Sequence, residues 1–136
     1  MNSPEDIAAI LAADVFAVIG VSTDPQKYGR LVWRSLKNAG KTVYAVNPKT
    51  TDMEGDPCYP SLSSLPGKVD AVVTVVQPAV TEQTVRECER LGIKLLWMQI
   101  GSESRAAIVD AQRAGIRLVA GGPCIMVMLR TYRFNR

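Results

Sequence analysis

The sequence contains no histidine, and that absence removes several chemistries at once. A Ser–His–Asp triad, a phosphohistidine relay and any zinc site with imidazole ligands are excluded. The three cysteines, Cys58, Cys88 and Cys124, form no C-x-x-C pair. An odd, scattered set argues against a disulfide scaffold and for a reducing cytoplasm. No apolar run approaches the roughly 20 residues that a membrane helix needs. The opening "MNSPEDIAAILAAD" has no basic leader and carries acids among its apolar residues, so no signal peptide is expected. A net charge of +3 is too small to indicate a nucleic-acid partner. One further gap is local. Between Pro25 and Thr51 there is no Asp or Glu, whereas Lys27, Arg30, Arg34, Lys37, Lys41 and Lys49 all fall there.

What is present fits one domain of 136 residues, 47% of them hydrophobic, enough to bury a core. Ser3 and Pro4 open a short helix over "NSPEDIAAILAA", with Asp6 at the capping-box distance. A continuously apolar strand, 15–20, is followed by four more strands rich in apolar residues: 42–48, 70–76, 94–100 and 116–120. Between them lie helical patterns. One carries Val32, Leu36 and Ala39 up to Gly40; a second carries Val80, Thr84, Val85, Cys88 and Leu91 up to Gly92; a third is "ESRAAIVDAQRAG", with Ser102 as its expected cap. The stretch 49–67 is long for a connection and is expected to hold a helical turn near "SLSSL". For "CIMVMLRTYRFNR" the pattern leaves a helix and a frayed tail equally open.

Strands that are apolar throughout indicate a sheet covered on both faces, and intervening helices indicate parallel crossovers. The expectation is therefore an α/β fold: a doubly wound, Rossmann-like three-layer domain with a five-stranded, mainly parallel sheet, spanning residues 1–136 as a single domain. In such a sheet ligands bind beyond the carboxyl ends of the strands. The loops Val21–Tyr28, Asn47–Lys49, Gln77–Ala79 and Gln99–Ser102 should therefore share one crevice.

The first of them, in "AVIGVSTDPQKYG", runs from a strand into a helix whose start at Gly29 suits an anion. It lacks the full G-x-G-x-x-G fingerprint, because Ser22 stands where the second glycine would be. Arg30 in that first turn would either meet a bound phosphate or point into solvent. Arg30, Arg34, Lys37 and Lys41 lie on one helical stripe, expected to be a solvated face. At the end of the second strand an NAD site would place a carboxylate, but the chain reads Asn47-Pro48-Lys49. A lysine there favours a ribose carrying a phosphate, as in NADP or CoA.

The segments "GVSTDPQKYGRLVWRSLKNAGKTVYAVNP", "VVQP", "LLWMQIGSES" and "CIMV" resemble the small stand-alone CoA-binding proteins. That family shares a Rossmann-type domain with the succinyl-CoA synthetase α subunit, and the similarity covers roughly residues 10–128. It implies that Ser22, Lys27, Tyr28 and Gly29 cradle the CoA phosphates, and Gly20, Val21 and Arg30 are expected to complete the cofactor-binding set in this loop. It places Asn47, Pro48 and Lys49 beside the adenosine 3′-phosphate, Pro78 under the adenine, and Gln99 and Gly101 along the pantetheine path. The chain departs from the family pattern at Gln77-Pro78, Pro123 and Met128. The synthetase's phosphorylated histidine has no counterpart here.

The function expected is non-catalytic binding of coenzyme A or acyl-CoA, as a sensor or accessory subunit, with no catalytic residue and no metal site. Alternatives are an NADPH-binding oxidoreductase and a thiol redox protein acting through Cys124, which competes with Cys124 as an inert buried thiol. Cys58, read as a loop residue, and Cys88 receive no function. Trp33 and Trp97 are expected in the core or an interface. No membrane or nucleic-acid partner is expected. A homodimer and an unidentified protein partner both stay open.

Overall fold

The computed structural model describes residues 1–134. Strands β1 (Val15–Ile19), β2 (Thr42–Val46), β3 (Asp52–Met53), β4 (Asp56–Tyr59), β5 (Ala71–Thr74), β6 (Leu95–Met98) and β7 (Arg117–Ala120) form one sheet. Helices α1 (Pro4–Leu11), α2 (Tyr28–Asn38), α3 (Pro78–Leu91), α4 (Arg105–Arg113) and α5 (Ile125–Phe134) flank it, with a 3₁₀ turn at Leu62–Ser64. The strand order is β3-β4-β2-β1-β5-β6-β7. All pairings are parallel except β3 with β4. The chain winds outward from β1 through β2 to β4, then crosses back to place β5 against the other side of β1. The reversal in strand order falls between β1 and β5, where an open sheet leaves a crevice at its carboxyl edge.

Alternation along each strand assigns its side chains to two cores. Phe16, Val18, Ala71, Val73, Trp97 and Val119 face a layer built on α1, α2 and α5. Ala17, Ile19, Val72, Leu96, Met98 and Leu118 face the layer of α3, α4 and the 3₁₀ turn. Trp33 and Trp97 are fully buried, so these two rings pack the interior rather than stack on a ligand, and Trp97 Nε1 donates to Pro123 O at 3.1 Å.

The fold class is the one expected, but the sheet has seven strands rather than five. The two additional strands form a hairpin inside the stretch 49–67, turning at Glu54-Gly55. They are too short to show a period. Pro57 also suppresses a strand reading. It is tolerated because Asp56 and Pro57 pair with β3, whereas Cys58 and Tyr59 pair with β2. Cys58 is thus a buried strand residue and not a loop residue. The five anticipated strands are real; the first four end one or two residues early, where the chain leaves the sheet for the crevice, and the fifth ends at Ala120 as expected. The α4 cap also differs. Ser104 accepts from Ala107 N at 3.0 Å, while buried Ser102 donates to Gln99 O at 2.8 Å and is also bonded to Thr74. The final segment is a helix, α5. Among the described residues no helix is long and apolar enough to cross a membrane.

Candidate functional site

The first loop is fixed before any ligand arrives. Gly20, with φ of 97°, turns the chain out of β1, and its N–H donates to Val46 O at 3.0 Å. A side chain at Gly20 would collide with the Val75 carbonyl, so this turn is possible only for glycine. Ser22 Oγ accepts from Asp24 N at 3.0 Å, and Asp24 Oδ1 accepts from Gln26 N at 2.9 Å. Asn47 at the end of β2 joins the second loop to the first: Nδ2 donates to Val21 O at 2.8 Å, and Oδ1 accepts from Lys49 N at 2.9 Å.

Arg30 is part of this scaffold. Its guanidinium donates to Ser22 O at 3.1 Å and Thr23 O at 3.2 Å, and its Nε to Glu54 at 2.7 Å. It is largely buried and turned toward the Glu54 carboxylate rather than into solvent. Arg34 also pairs with Glu54, and Lys37 pairs with Asp56. Lys41 Nζ donates to Leu11 O and Ala13 O at 2.7 and 2.6 Å. The basic stripe, expected to be solvated, is so in part: Arg34 and Lys37 stay exposed while they pair with hairpin acids, whereas Arg30 and Lys41 are turned onto the scaffold. The Arg34 and Arg30 guanidinium groups hold the Glu54 carboxyl below its ordinary value.

Above the carboxyl ends of β1, β2 and β5 opens a crevice of about 900 Å³. Gly20, Ser22, Lys27, Asn47, Pro48 and Lys49 line it together. Pro78 and Gly101 line an adjoining hollow of about 400 Å³. Tyr28 and Gln99 line a third, of about 260 Å³. Val75 borders all three, so they form one groove over the sheet edge. Val21, Gly29 and Arg30 line none of them. Val21 is fully buried, Arg30 braces the loop, and Gly29 lets α2 approach the Gly20 carbonyl.

The far wall of the crevice carries residues that the sequence reading did not place there. Val80, Gln83, Thr84 and Glu87 recur along one side of α3, and Pro60, Ser61 and Leu62 come from the 3₁₀ segment. The i, i+3, i+4, i+7 spacing was the available signal, but it reads equally well as a core face. Glu87 accepts from Ser63 N at 3.2 Å and Ser63 Oγ at 2.7 Å, which fixes this wall.

The field at the groove is positive on its loop side. Neither α2 nor α3 has a side-chain cap or an acid in its first turn. By contrast, α1 and α4 are capped by Ser3 and Ser104. Two uncapped helix starts thus border the groove, where the macrodipole favours negative charge. Lys27 and Lys49 add two cations, and among the described residues neither makes an ion pair.

Cys124 borders the smallest hollow, and its Sγ accepts from Gln99 Nε2 at 3.3 Å. Gln99 Oε1 accepts from Ile125 N at 2.8 Å. Cys88 differs: burial, and then Glu87, push its thiol up to about 12. Burial also raises Cys58. Among the described residues no group of three or more His, Cys, Asp or Glu side chains could hold a metal ion.

A family model described as a CoA binding domain matches residues 14–130. An ADP-forming acetate–CoA ligase I of Archaeoglobus fulgidus is 35% identical over 127 residues, covering 86% of this chain and 18% of that protein. The α subunit of an ADP-forming acetate–CoA ligase II of Pyrococcus furiosus is 32% identical, covering 82% of this chain and 27% of that subunit. The chain therefore spans about a quarter or less of these relatives' length. A solved structure of a hypothetical protein from Pyrococcus horikoshii is similar over almost its whole length. It has 33% identity and a TM-score of 0.88, and covers 95% of this chain and 91% of that one.

Proposed function

This chain belongs to the CoA binding domain family, and we propose from that premise that its groove binds coenzyme A without itself performing a reaction. The observation that carries the proposal is the convergence of Lys27, Lys49 and the uncapped starts of α2 and α3 on one groove at the strand reversal. The diphosphate would lie across the Gly20–Lys27 loop, where backbone N–H groups, Ser22 Oγ and Lys27 can donate to it. Lys49 would meet the adenosine 3′-phosphate beside Asn47 and Pro48. The adenosine would occupy the large crevice against α3, with Pro78 at its border. Pantetheine would cross Val75 toward Tyr28, Gln99 and Gly101. Val21, Gly29 and Arg30 would act behind this surface by fixing the loop and the helix start.

In this role the protein would hand CoA or an acyl-CoA to a partner, or report its level. The mechanism is recognition by a preformed surface. Its loops are already tied to one another, so little ordering is required when the ligand arrives.

Titration calorimetry under reducing conditions with CoA, 3′-dephospho-CoA, NADPH and NADH tests the proposal. CoA should bind, and loss of the 3′-phosphate should weaken it. NADPH binding more tightly than CoA would replace this reading with that of a nicotinamide-dependent enzyme. A nucleotide absorbing near 260 nm that copurifies with the protein and proves to be CoA would be independent support.

A further inference from the structure

Charge is not shared evenly along the groove. Among the described residues the charged side chains that line it, Lys27, Lys49 and Glu87, all belong to the large crevice, and the two smaller hollows are lined by none. Uncommitted polar groups divide the same way. Among the described residues Lys27 and Lys49 make no ion pair. On the α3 wall the Gln83 side chain makes no hydrogen bond among the described residues, and Glu87 accepts from Ser63 through Oε2 alone. In the smaller hollows, by contrast, Gln99 is held at both ends of its amide, by Ile125 N and by Cys124 Sγ. The Ser102 hydroxyl is bonded to Thr74 and to Gln99 O. Tyr28 and Ile100 are 69% and 66% exposed, so the hollow they border lies open to water.

We infer that the groove is a receptor for adenine nucleotides phosphorylated at both the 3′ and the 5′ position, as a class, and that the pantetheine arm of CoA adds little to binding. The inference rests on the reading of the groove as a CoA site and assigns the affinity to one half of that ligand. The 3′-phosphate would meet Lys49 and the 5′-phosphate Lys27, each through a charge-assisted hydrogen bond. The 6-amino group of the base is a donor, and the free side-chain oxygens of Gln83 and Glu87 are acceptors lining the same crevice. The arm finds no such partners. It would lie over an open, uncharged surface whose Gln99 and Ser102 side chains are already engaged, so its amides keep water as their partner. Holding a long, flexible chain there costs conformational freedom, which offsets what its contacts contribute.

Calorimetry under reducing conditions with CoA, adenosine 3′,5′-bisphosphate, AMP and 4′-phosphopantetheine tests the inference. The bisphosphate should bind within about tenfold of CoA and displace it one for one. AMP, which lacks only the 3′-phosphate, should bind about tenfold more weakly than the bisphosphate. The arm alone, 4′-phosphopantetheine, should also bind more weakly than the bisphosphate. Lys49→Ala should weaken CoA and the bisphosphate by the same factor, roughly tenfold. A bisphosphate more than about tenfold weaker than CoA overturns the inference while the CoA reading survives. So does AMP as tight as the bisphosphate, tighter binding of 4′-phosphopantetheine, or a Lys49→Ala loss confined to CoA. Bisphosphate binding with no binding of CoA upholds the nucleotide receptor and overturns the CoA reading. Binding of neither overturns both.

Discussion

Replacing Gly29 by alanine probes the close approach on which the helix start depends. Gly29 lies in the first turn of α2 and has an ordinary helical φ, so alanine is not excluded by backbone conformation there. Helix propensity alone would make the change favourable by about 1 kcal/mol. The surroundings reverse that sign. A Cβ at Gly29 would lie 2.9 Å from the Gly20 carbonyl carbon and closer still to its oxygen. Both are backbone atoms held in place by the bonds from Gly20 and Val21 to β2, so no flexible side chain can yield. Overpacking of this kind costs about 3 kcal/mol or more. In a domain of this size that corresponds to a fall in Tm of roughly 10–15 °C. Gly40→Ala is the control. It has φ of 87° and open space around a Cβ, so it should cost only about 1–2 kcal/mol of left-handed strain, or roughly 4–8 °C. Thermal denaturation followed by circular dichroism compares the two. CoA titration of Gly29→Ala should also show at least about a tenfold loss, because α2 can relieve the clash only by drawing its N-terminus back from the loop. If Gly29→Ala melts at or above Gly40→Ala and binds CoA as the parent does, the tight junction of α2 with β1 is not what builds the site.

Three further outcomes are expected. Lys49→Ala should weaken CoA by about 1–2 kcal/mol and leave 3′-dephospho-CoA unchanged, as a charge-assisted contact to that phosphate requires; equal losses for both ligands would place Lys49 elsewhere. Acid should destabilise the fold in part through Glu54, whose folded value lies below its ordinary 4.5. The stabilisation is present above that ordinary value and is lost as pH falls through the lower folded one, so Glu54→Gln should flatten the acid limb of a plot of Tm against pH; an unchanged limb would refute the link. Brief alkylation of the native protein, mapped by mass spectrometry, should label Cys124 and spare Cys58 and Cys88, whose thiols are buried and raised; comparable labelling at Cys88 would contradict the packing of α3 against the sheet.

The parts of the fold legible in the sequence are those with a long-range period or a run of one polarity. Val15–Ile19 is wholly apolar, and Ala71–Thr74 is apolar but for Thr74, because the sheet is covered on both faces, and such a run signals a central parallel strand. The hairpin at Asp52–Tyr59 was not legible, because two-residue and four-residue strands containing a proline carry no such signal. The pairing of Arg30 was not legible for the same reason, since the acid that pairs with it sits on that hairpin turn. The Glu54 partner lies 24 residues away, and no local rule reaches it. The groove's loop side was legible through the topology, which brings the ends of β1, β2, β5 and β6 together. Its α3 wall was not, because Gln83 and Glu87 look like any other polar residues on an amphipathic helix.

The pairing of these cations with the hairpin acids shapes the charge that the α2 flank presents. A solvated stripe of Arg30, Arg34, Lys37 and Lys41 would have spread positive potential along the whole flank of α2, attracting any polyanion. Instead Glu54, shared by Arg30 and Arg34, and Asp56, paired with Lys37, offset two of the four positive charges at short range, and Lys41 is turned onto two carbonyl groups. The positive field that survives is concentrated at Lys27, Lys49 and two helix starts, all of which border the groove. Because the acids come from the hairpin, the same two-strand insertion that narrows the field also braces the first loop through Arg30. Local charge and loop geometry are thus set by one element. A net charge of +3 therefore understates how strongly the groove, and how weakly the rest of this flank, should attract a compact phosphorylated ligand.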